Sequence, residues 1–277
     1  MNIGLSKNSK RIVIKIGTNS IMKSIDKINY HKIDRLAYVC STLRQQGHDV
    51  ILVASGAVGA GACTLNMDAY PDSIAEKQAL ASVGQGVLMN LYSRFFQHYD
   101  QHVGQILMTR DIVSYPNAYE NCQTTINSLL RNKIIPIINE NDAVSVDESG
   151  RRSKFGENDT LAAVVTEVTE ADMLIILSDI EGLYDSNPHT DSEAKLIPYV
   201  GEISDEILAM AGGAGSVFST GGMETKLNAA KRVMDNNQAM VIASAENPNI
   251  IFDIVDGQEV GTLFKKEQPE LLIQGDE

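Results

Sequence analysis

Asp49-Val50-Ile51-Leu52-Val53-Ala54-Ser55-Gly56-Ala57-Val58-Gly59-Ala60-Gly61 decides the fold. The continuous apolar run Asp49–Ala54 predicts a strand buried on both faces, as in a parallel sheet covered by helices. It runs straight into a chain of small residues. Just before it, residues 30–46 place Ile33, Leu36, Ala37, Cys40 and Leu43 on one helical face, with Gly47 as the stop signal. Further upstream, Arg11–Ile16 is a second short apolar strand, interrupted by Lys15. Strand, helix, strand is the repeating unit of a sheet with helices on both faces. The segment 55–61 allows close approach of a ligand to backbone, or is a loose strand-to-helix connection. It lacks the Gly-x-Gly-x-x-Gly order of a dinucleotide site.

The alternation continues along the chain. Residues 73–99 are expected to be mostly helical and Val103–Met108 a strand. A helix capped by Asn117 runs to residue 132, and a strand spans 133–138. Residues 147–152 are turn-rich and suit a small hairpin. Asn158 or Asp159 is expected to cap the next helix. Strands follow at 173–177, 196–200, 240–243 and 250–254, with a short helix at 204–211. Met223, Leu227, Ala230 and Met234 recur at helical spacing, so a helix starts near Met223. The reading is α/β: a three-layer αβα sandwich with a mostly parallel central sheet. One domain fills residues 1–267, and 268–277 form a C-terminal tail. Ligands gather at the carboxyl ends of strands in such sheets. There lie Gly17-Thr18-Asn19-Ser20, Ser55-Gly56, Asn139-Glu140-Asn141-Asp142 and Ser178-Asp179.

Composition narrows the classes of function. The 277 residues are 43% apolar, enough for a sizeable core. Cys40, Cys63 and Cys122 are scattered and form no C-x-x-C pair, which suits a reducing compartment better than a disulfide framework or zinc site. No apolar run approaches the length of a membrane span. The polar start of the chain lacks the apolar stretch of a signal peptide. A cytoplasmic protein without a membrane partner is expected. The net charge is −13, which repels nucleic acid in the absence of a basic face. The one tight basic cluster is Arg151, Arg152 and Lys154.

Five residue groups can carry chemistry. Lys15 lies in an apolar strand just before Gly17, and a buried lysine must be paired or face a ligand. Thr220-Gly221-Gly222-Met223-Glu224-Thr225-Lys226 opens a helix with two glycines and puts a lysine in its first turn. Exposed N–H groups, the helix dipole and a mobile cation together suit a polyphosphate. Asn139–Asp142 offers carboxylates to a metal or an ammonium group, or serves as a turn. Lys154-Phe155-Gly156-Glu157-Asn158-Asp159 precedes a helix and holds more than a cap requires. Ser178-Asp179 through Tyr184 lies where a base or ribose could rest. The five histidines are dispersed, so a serine or cysteine hydrolase is not indicated.

Six of these segments occur in one order. They are Val13-Ile14-Lys15-Ile16-Gly17-Thr18, Ala54 through Gly61, Asn139 through Asp142, Phe155 through Asp159, Ser178-Asp179-Ile180-Glu181-Gly182-Leu183-Tyr184, and Thr220 through Lys226. Together they resemble the glutamate-phosphorylating branch of the amino acid kinase family. Ser219 departs from the resemblance, standing where the family usually has glycine. Many members carry an extra C-terminal domain of the PUA type; the chain is expected to lack one.

The resemblance implies transfer of the ATP γ-phosphoryl group to the side-chain carboxylate of L-glutamate, with Mg²⁺ bridging the phosphates. It implies Lys15 and Lys226 as catalytic cations, Asp159 holding them, and Lys154 adding charge. Ser55, Gly56, Asp142 and Asn158 would bind glutamate, with Asp142 facing its ammonium. Lys15, Ser178, Asp179 and Thr220, Gly221, Gly222, Met223, Glu224, Thr225 and Lys226 would bind ATP. No residues are assigned to a dedicated metal site. A homo-oligomer, dimer or tetramer, and proline as feedback inhibitor are implied as well. Kinases for N-acetylglutamate, aspartate, carbamate or a nucleoside monophosphate are rivals within the same fold. A non-catalytic sensor is the rival outside it. Two lysines placed for transition-state charge argue against the sensor.

Overall fold

A computed structural model describes residues 10–144, 158–188, 190–212 and 222–266. The chain order is β1 (Arg11–Ile16), α1 (Thr18–Ile21), β2 (Met22–Ser24), β3 (Lys27–Ile28), α2 (Tyr30–Gln45), β4 (Asp49–Ala54), α3 (Ala57–Thr64), α4 (Ile74–Gln97) and β5 (Val103–Met108). Then come α5 (Pro116–Arg131), β6 (Ile135–Glu140), α6 (Asp159–Val168), β7 (Met173–Ser178), β8 (Tyr199–Val200), α7 (Asp205–Gly212), α8 (Gly222–Asp235), β9 (Ala239–Ser244), α9 (Ile250–Val255) and β10 (Thr262–Phe264).

Eight strands form one sheet in the order β5-β6-β4-β1-β7-β9-β10-β8. Pairing is parallel from β5 through β9; β10 runs antiparallel to β9. The first strand is therefore central, with β4 on one side and β7 on the other. Successive residues of a strand face opposite ways, and the two cores follow that alternation. Ile12, Ile14 and Ile16 join Leu36, Cys40 and Leu88 on the face covered by α2, α3, α4 and α9. Val13 joins Leu161, Val165, Leu227 and Val233 on the face covered by α5, α6 and α8. The expected three-layer sandwich is the observed fold.

The layer on the Ile12 face is pinned by glycines. A Cβ on Gly61 would stand 2.1 Å from the Leu80 carbonyl oxygen, and one on Gly84 would stand 1.8 Å from that of Ala57. These glycines let α3 and α4 touch backbone to backbone. Gly59 and Gly61 thus belong to a helix, and segment 55–61 is not the open loop its composition suggests. Within this segment only Gly56 takes a left-handed conformation, φ 100°, just before α3.

Other boundaries also differ from expectation. The helix 116–131 starts at Pro116, which presets the first turn, so Asn117 is not its cap. The strand expected at 133–138 is Ile135–Glu140 and includes Asn139 and Glu140, because both pair with β5. Residues 250–254 form a helix, α9, with Ile251, Ile254 and Val255 buried and Asp253 outward. The periodicity is helical, but two successive isoleucines resemble a strand. Strand β10 is three residues long and went unread for that reason. The expected hairpin at 147–152 and the tail 268–277 lie outside the described residues.

Candidate active site

The alternation of β1 puts Lys15 on the Val13 side, beneath α6 and α8. Its Nζ lies 2.6 Å from Oδ1 of Asp159, the first residue of α6. On the other side of that carboxylate, Lys226 Nζ lies 3.2 Å from Oδ2. Lys226 sits in the first turn of α8, and its ammonium also donates to the Gly222 carbonyl at 3.1 Å. Thr225 Oγ1 can donate to Asp159 Oδ2 at 3.1 Å or to Gly222 O at 3.0 Å. Three chain segments far apart in sequence thus meet at one carboxylate.

All three charges are withdrawn from solvent: the side chains of Lys15, Lys226 and Asp159 are 6%, 11% and 2% exposed. Burial alone would push the Asp159 carboxyl up. The ammonium groups of Lys15 and Lys226, with their hydrogen bonds, outweigh it and hold the carboxyl below its usual value. The α6 N-terminus also favours a negative charge at this position. Among the contacts of the described residues, one carboxylate faces two ammonium groups, an arrangement that suits an anionic ligand.

A second cluster sits at the ends of β4 and β6. Ser55, Asn139, Glu140, Asp142 and Asn158 are all buried. Asn158 precedes α6 but its side chain makes no capping bond. Its Nδ2 donates to the Ala54 carbonyl and to Asn139 Oδ1, both at 2.6 Å. The capping role expected for Asn158 or Asp159 therefore gives way: Asn158 ties strand ends together and Asp159 pairs with lysines. Ser55 Oγ and Asn158 Oδ1 are buried without a hydrogen-bond partner. Buried polar atoms seldom stay so unless a ligand or water completes them. The clusters adjoin, because Asn158 and Asp159 are consecutive.

The end of β7 forms a third group. Ser178 Oγ donates to Asp179 Oδ1 at 3.0 Å, with Ser178 buried and Asp179 exposed. The loop beyond is held by Thr262, whose Oγ1 accepts from the Leu183 N–H at 2.8 Å and donates to Ile197 O at 2.7 Å. In the segment 220–226, Met223 points into the core, so what it offers a ligand is its backbone. Glu224 is exposed. Lys154, Thr220 and Gly221, with Ser219, lie outside the described residues. Sequence reasoning passed over Gln85 of α4, which accepts from Asn139 Nδ2 at 2.7 Å; an isolated polar residue on a helix gives no signal.

A hollow of about 420 Å³ lies at the opposite end of the sheet, beside Glu167, Glu170, Asp172 and Lys265. Its acidic wall repels phosphate, and it touches none of the clusters above.

The model of the amino acid kinase family matches residues 10–244. The chain is 51% identical over 265 residues to the glutamate 5-kinase of Listeria monocytogenes serotype 4b, covering 96% of each. It is 50% identical over 258 residues to that of Streptococcus agalactiae serotype III, covering 93% of this chain and 97% of the relative. Among solved structures, UMP kinase from Bacillus anthracis superposes with a TM-score of 0.63 at 14% identity, covering 94% of this chain and 97% of that one. Isopentenyl phosphate kinase from T. acidophilum gives 0.61 at 13%, with 91% and 99% covered. At such identities these two structures speak to the fold alone.

Proposed function

The chain belongs to the amino acid kinase family, and from that premise we infer that it transfers the γ-phosphoryl group of ATP to the side-chain carboxylate of L-glutamate. The product is L-glutamyl 5-phosphate, formed in the first step of proline biosynthesis. The observation that carries the reading is identity at half of all positions, over nearly the whole length, with bacterial glutamate kinases.

The residues suit the chemistry. A carboxylate acceptor is already ionised near neutral pH, so the reaction needs no general base. The protein must bring two anions together and offset charge as the phosphoryl group moves. The Lys15–Asp159–Lys226 cluster meets both needs. Its lysines face the phosphates, and Asp159 fixes both. Ser55, Asp142 and Asn158 hold glutamate, with Asp142 opposite the ammonium. Ser178 and Asp179 line the nucleotide side, with the segment 220–226 around the phosphates and Lys154 nearby. Among the described residues, no group of three or more His, Cys, Asp or Glu side chains could hold a metal. Mg²⁺ carried in on the phosphates of ATP rests on the family resemblance.

No helix among the described residues is long and apolar enough to cross a membrane. A cytoplasmic homo-oligomer, dimer or tetramer, inhibited by proline rests on the family resemblance. Sedimentation, and activity titrated with proline, test those points. The function itself is tested by hydroxamate formation and ADP release with L-glutamate, N-acetylglutamate and aspartate. L-Glutamate is expected to be the best acceptor, because acetylation removes the cation that Asp142 meets. Equal or faster turnover of N-acetylglutamate would overturn the assignment.

A further inference from the structure

The polar contacts behind Asn158 have a fixed direction. Asn158 Nδ2 faces the Ala54 carbonyl at 2.6 Å. A carbonyl only accepts, so the atom turned toward it must be the amide nitrogen. On Asn139, the atom 2.9 Å from the Glu140 backbone N–H must be the oxygen, since that N–H only donates. The same Oδ1 accepts the second hydrogen of Asn158 at 2.6 Å. Asn139 Nδ2 is left to donate, and it meets Gln85 Oε1 at 2.7 Å. Two backbone groups thus set the polarity of the whole line, and Gln85 closes it.

One consequence falls on Asn158. Both its N–H bonds are used inside the protein, and its Oδ1 has no hydrogen-bond partner. The side chain can therefore only accept. Gln85 itself is held in place, because the adjacent Gly84 rests on the Ala57 backbone.

We propose that Gln85 is a positioning residue: by anchoring Asn139 Nδ2 it steadies the Asn158 amide, whose oxygen the two backbone contacts leave free to accept from the ammonium group of the amino-acid acceptor. This rests on the reading of Asn158 as a glutamate-binding residue. It adds a reason for preferring a free amine, since the site then offers an acceptor oxygen and the Asp142 carboxylate together. Ser55 Oγ, a hydroxyl that can donate or accept, adapts to whichever group lies beside it.

The test compares kcat/KM for L-glutamate with that for glutarate, which keeps both carboxylates and lacks the amine. The full chain is used with Gln85→Met, Gln85→Glu and Gln85→Lys. Gln85 is half-buried, so Gln85→Met removes an acceptor without emptying a core site. The glutamate-over-glutarate preference should fall about 3- to 10-fold in Gln85→Met, the scale of one neutral hydrogen bond. The ATP Michaelis constant and melting temperature should stay unchanged. Gln85→Glu keeps an acceptor there and should keep the preference; because its added charge also attracts the ammonium, the uncharged Gln85→Met is the deciding variant. Gln85→Lys offers only donors to Asn139 and should lose at least as much preference as Gln85→Met. If Gln85→Met proves unstable, Gln85→Leu, likewise uncharged and without an acceptor, decides.

An unchanged preference in Gln85→Met and Gln85→Lys, or an equal loss for both acceptors, would overturn the proposal. A wild-type chain that does not phosphorylate glutamate would instead sink the functional reading, and this proposal with it.

Discussion

At the scale of single residues, the chemistry turns on Asp159. Its carboxylate is shared by two ammonium groups, so removing Asp159 takes from both lysines their common counter-charge, whereas removing Lys226 leaves Asp159 paired with Lys15. Lys226→Ala should lower turnover by roughly two to three powers of ten, the usual size of a lost electrostatic contact to the transition state. Its melting temperature should change little, because Asp159 keeps Lys15. Asp159→Asn should lower both turnover and stability, the latter by about 3–5 kcal/mol, as when one partner of a buried pair is removed. The pH dependence has a definite sign. The carboxyl is held below its unfolded value, so its stabilisation is fully present above the ordinary carboxylate range, about 4. It is lost as pH falls through the lower folded value. The stability gap between wild type and Asp159→Asn should thus be flat down to about pH 4 and close below it. Thermal unfolding and single-turnover rates on the same samples measure this. Near-normal turnover in folded Lys226→Ala would remove the segment 220–226 from the phosphate site. Of these residues, Lys15 was legible as a charge inside an apolar strand. Its partner was not, because sequence spacing carries no information on which helix start lies over which strand.

At the scale of elements, the contact between α3 and α4 transmits packing to the acceptor pocket. Ser55 and Gly56 lead directly into α3, which rests on α4 at Gly61 and Gly84. Gly84→Ala puts a methyl group against backbone, which cannot turn aside as a side chain can. The helices must separate. A stability loss of at least about 1–3 kcal/mol is expected for such overpacking, with a raised Michaelis constant for glutamate and little change for ATP. Gly86, whose added Cβ would meet nothing within 4 Å, is the control: Gly86→Ala should leave both constants unmoved. If Gly84→Ala behaved like Gly86→Ala, the backbone contact would have no bearing on the pocket. Sequence reading found the strand run Asp49–Ala54 to the residue, because a buried parallel strand is uniformly apolar. It took the glycines after it as a loop, since a close-packed helix and an open turn demand the same small residues. Ile250–Val255 failed for a related reason: over six residues, a run of isoleucine suits either period.

At the scale of the whole molecule, α/β class and the parallel sheet were legible from the alternation of elements. Strand order was not, because it depends on which edges remain open as each unit is added. The observed order places the first strand of the chain at the centre of the sheet. Strands β4, β5 and β6, complete by Glu140, lie wholly to one side of it. The strands β7 to β10 complete the other side. Lys15 stands on this central strand, whereas Asp159 and Lys226 arrive on later helices. The cluster therefore joins the first strand to be synthesised with helices made later. A nascent chain that has made only the first half exposes an unpaired edge of β1 and a lysine whose counter-charge has yet to be made. Pairings so distant in sequence form slowly, and an open edge meanwhile invites association with other chains. On dilution from urea, helical circular dichroism should return before ADP-forming activity, with the lag growing at higher protein concentration; simultaneous recovery would contradict this sequence of events. Catalytic competence in this protein then reports the closing of the last seam, and a newly made chain can turn over ATP only after its late-synthesised half has sealed the strand with which synthesis began.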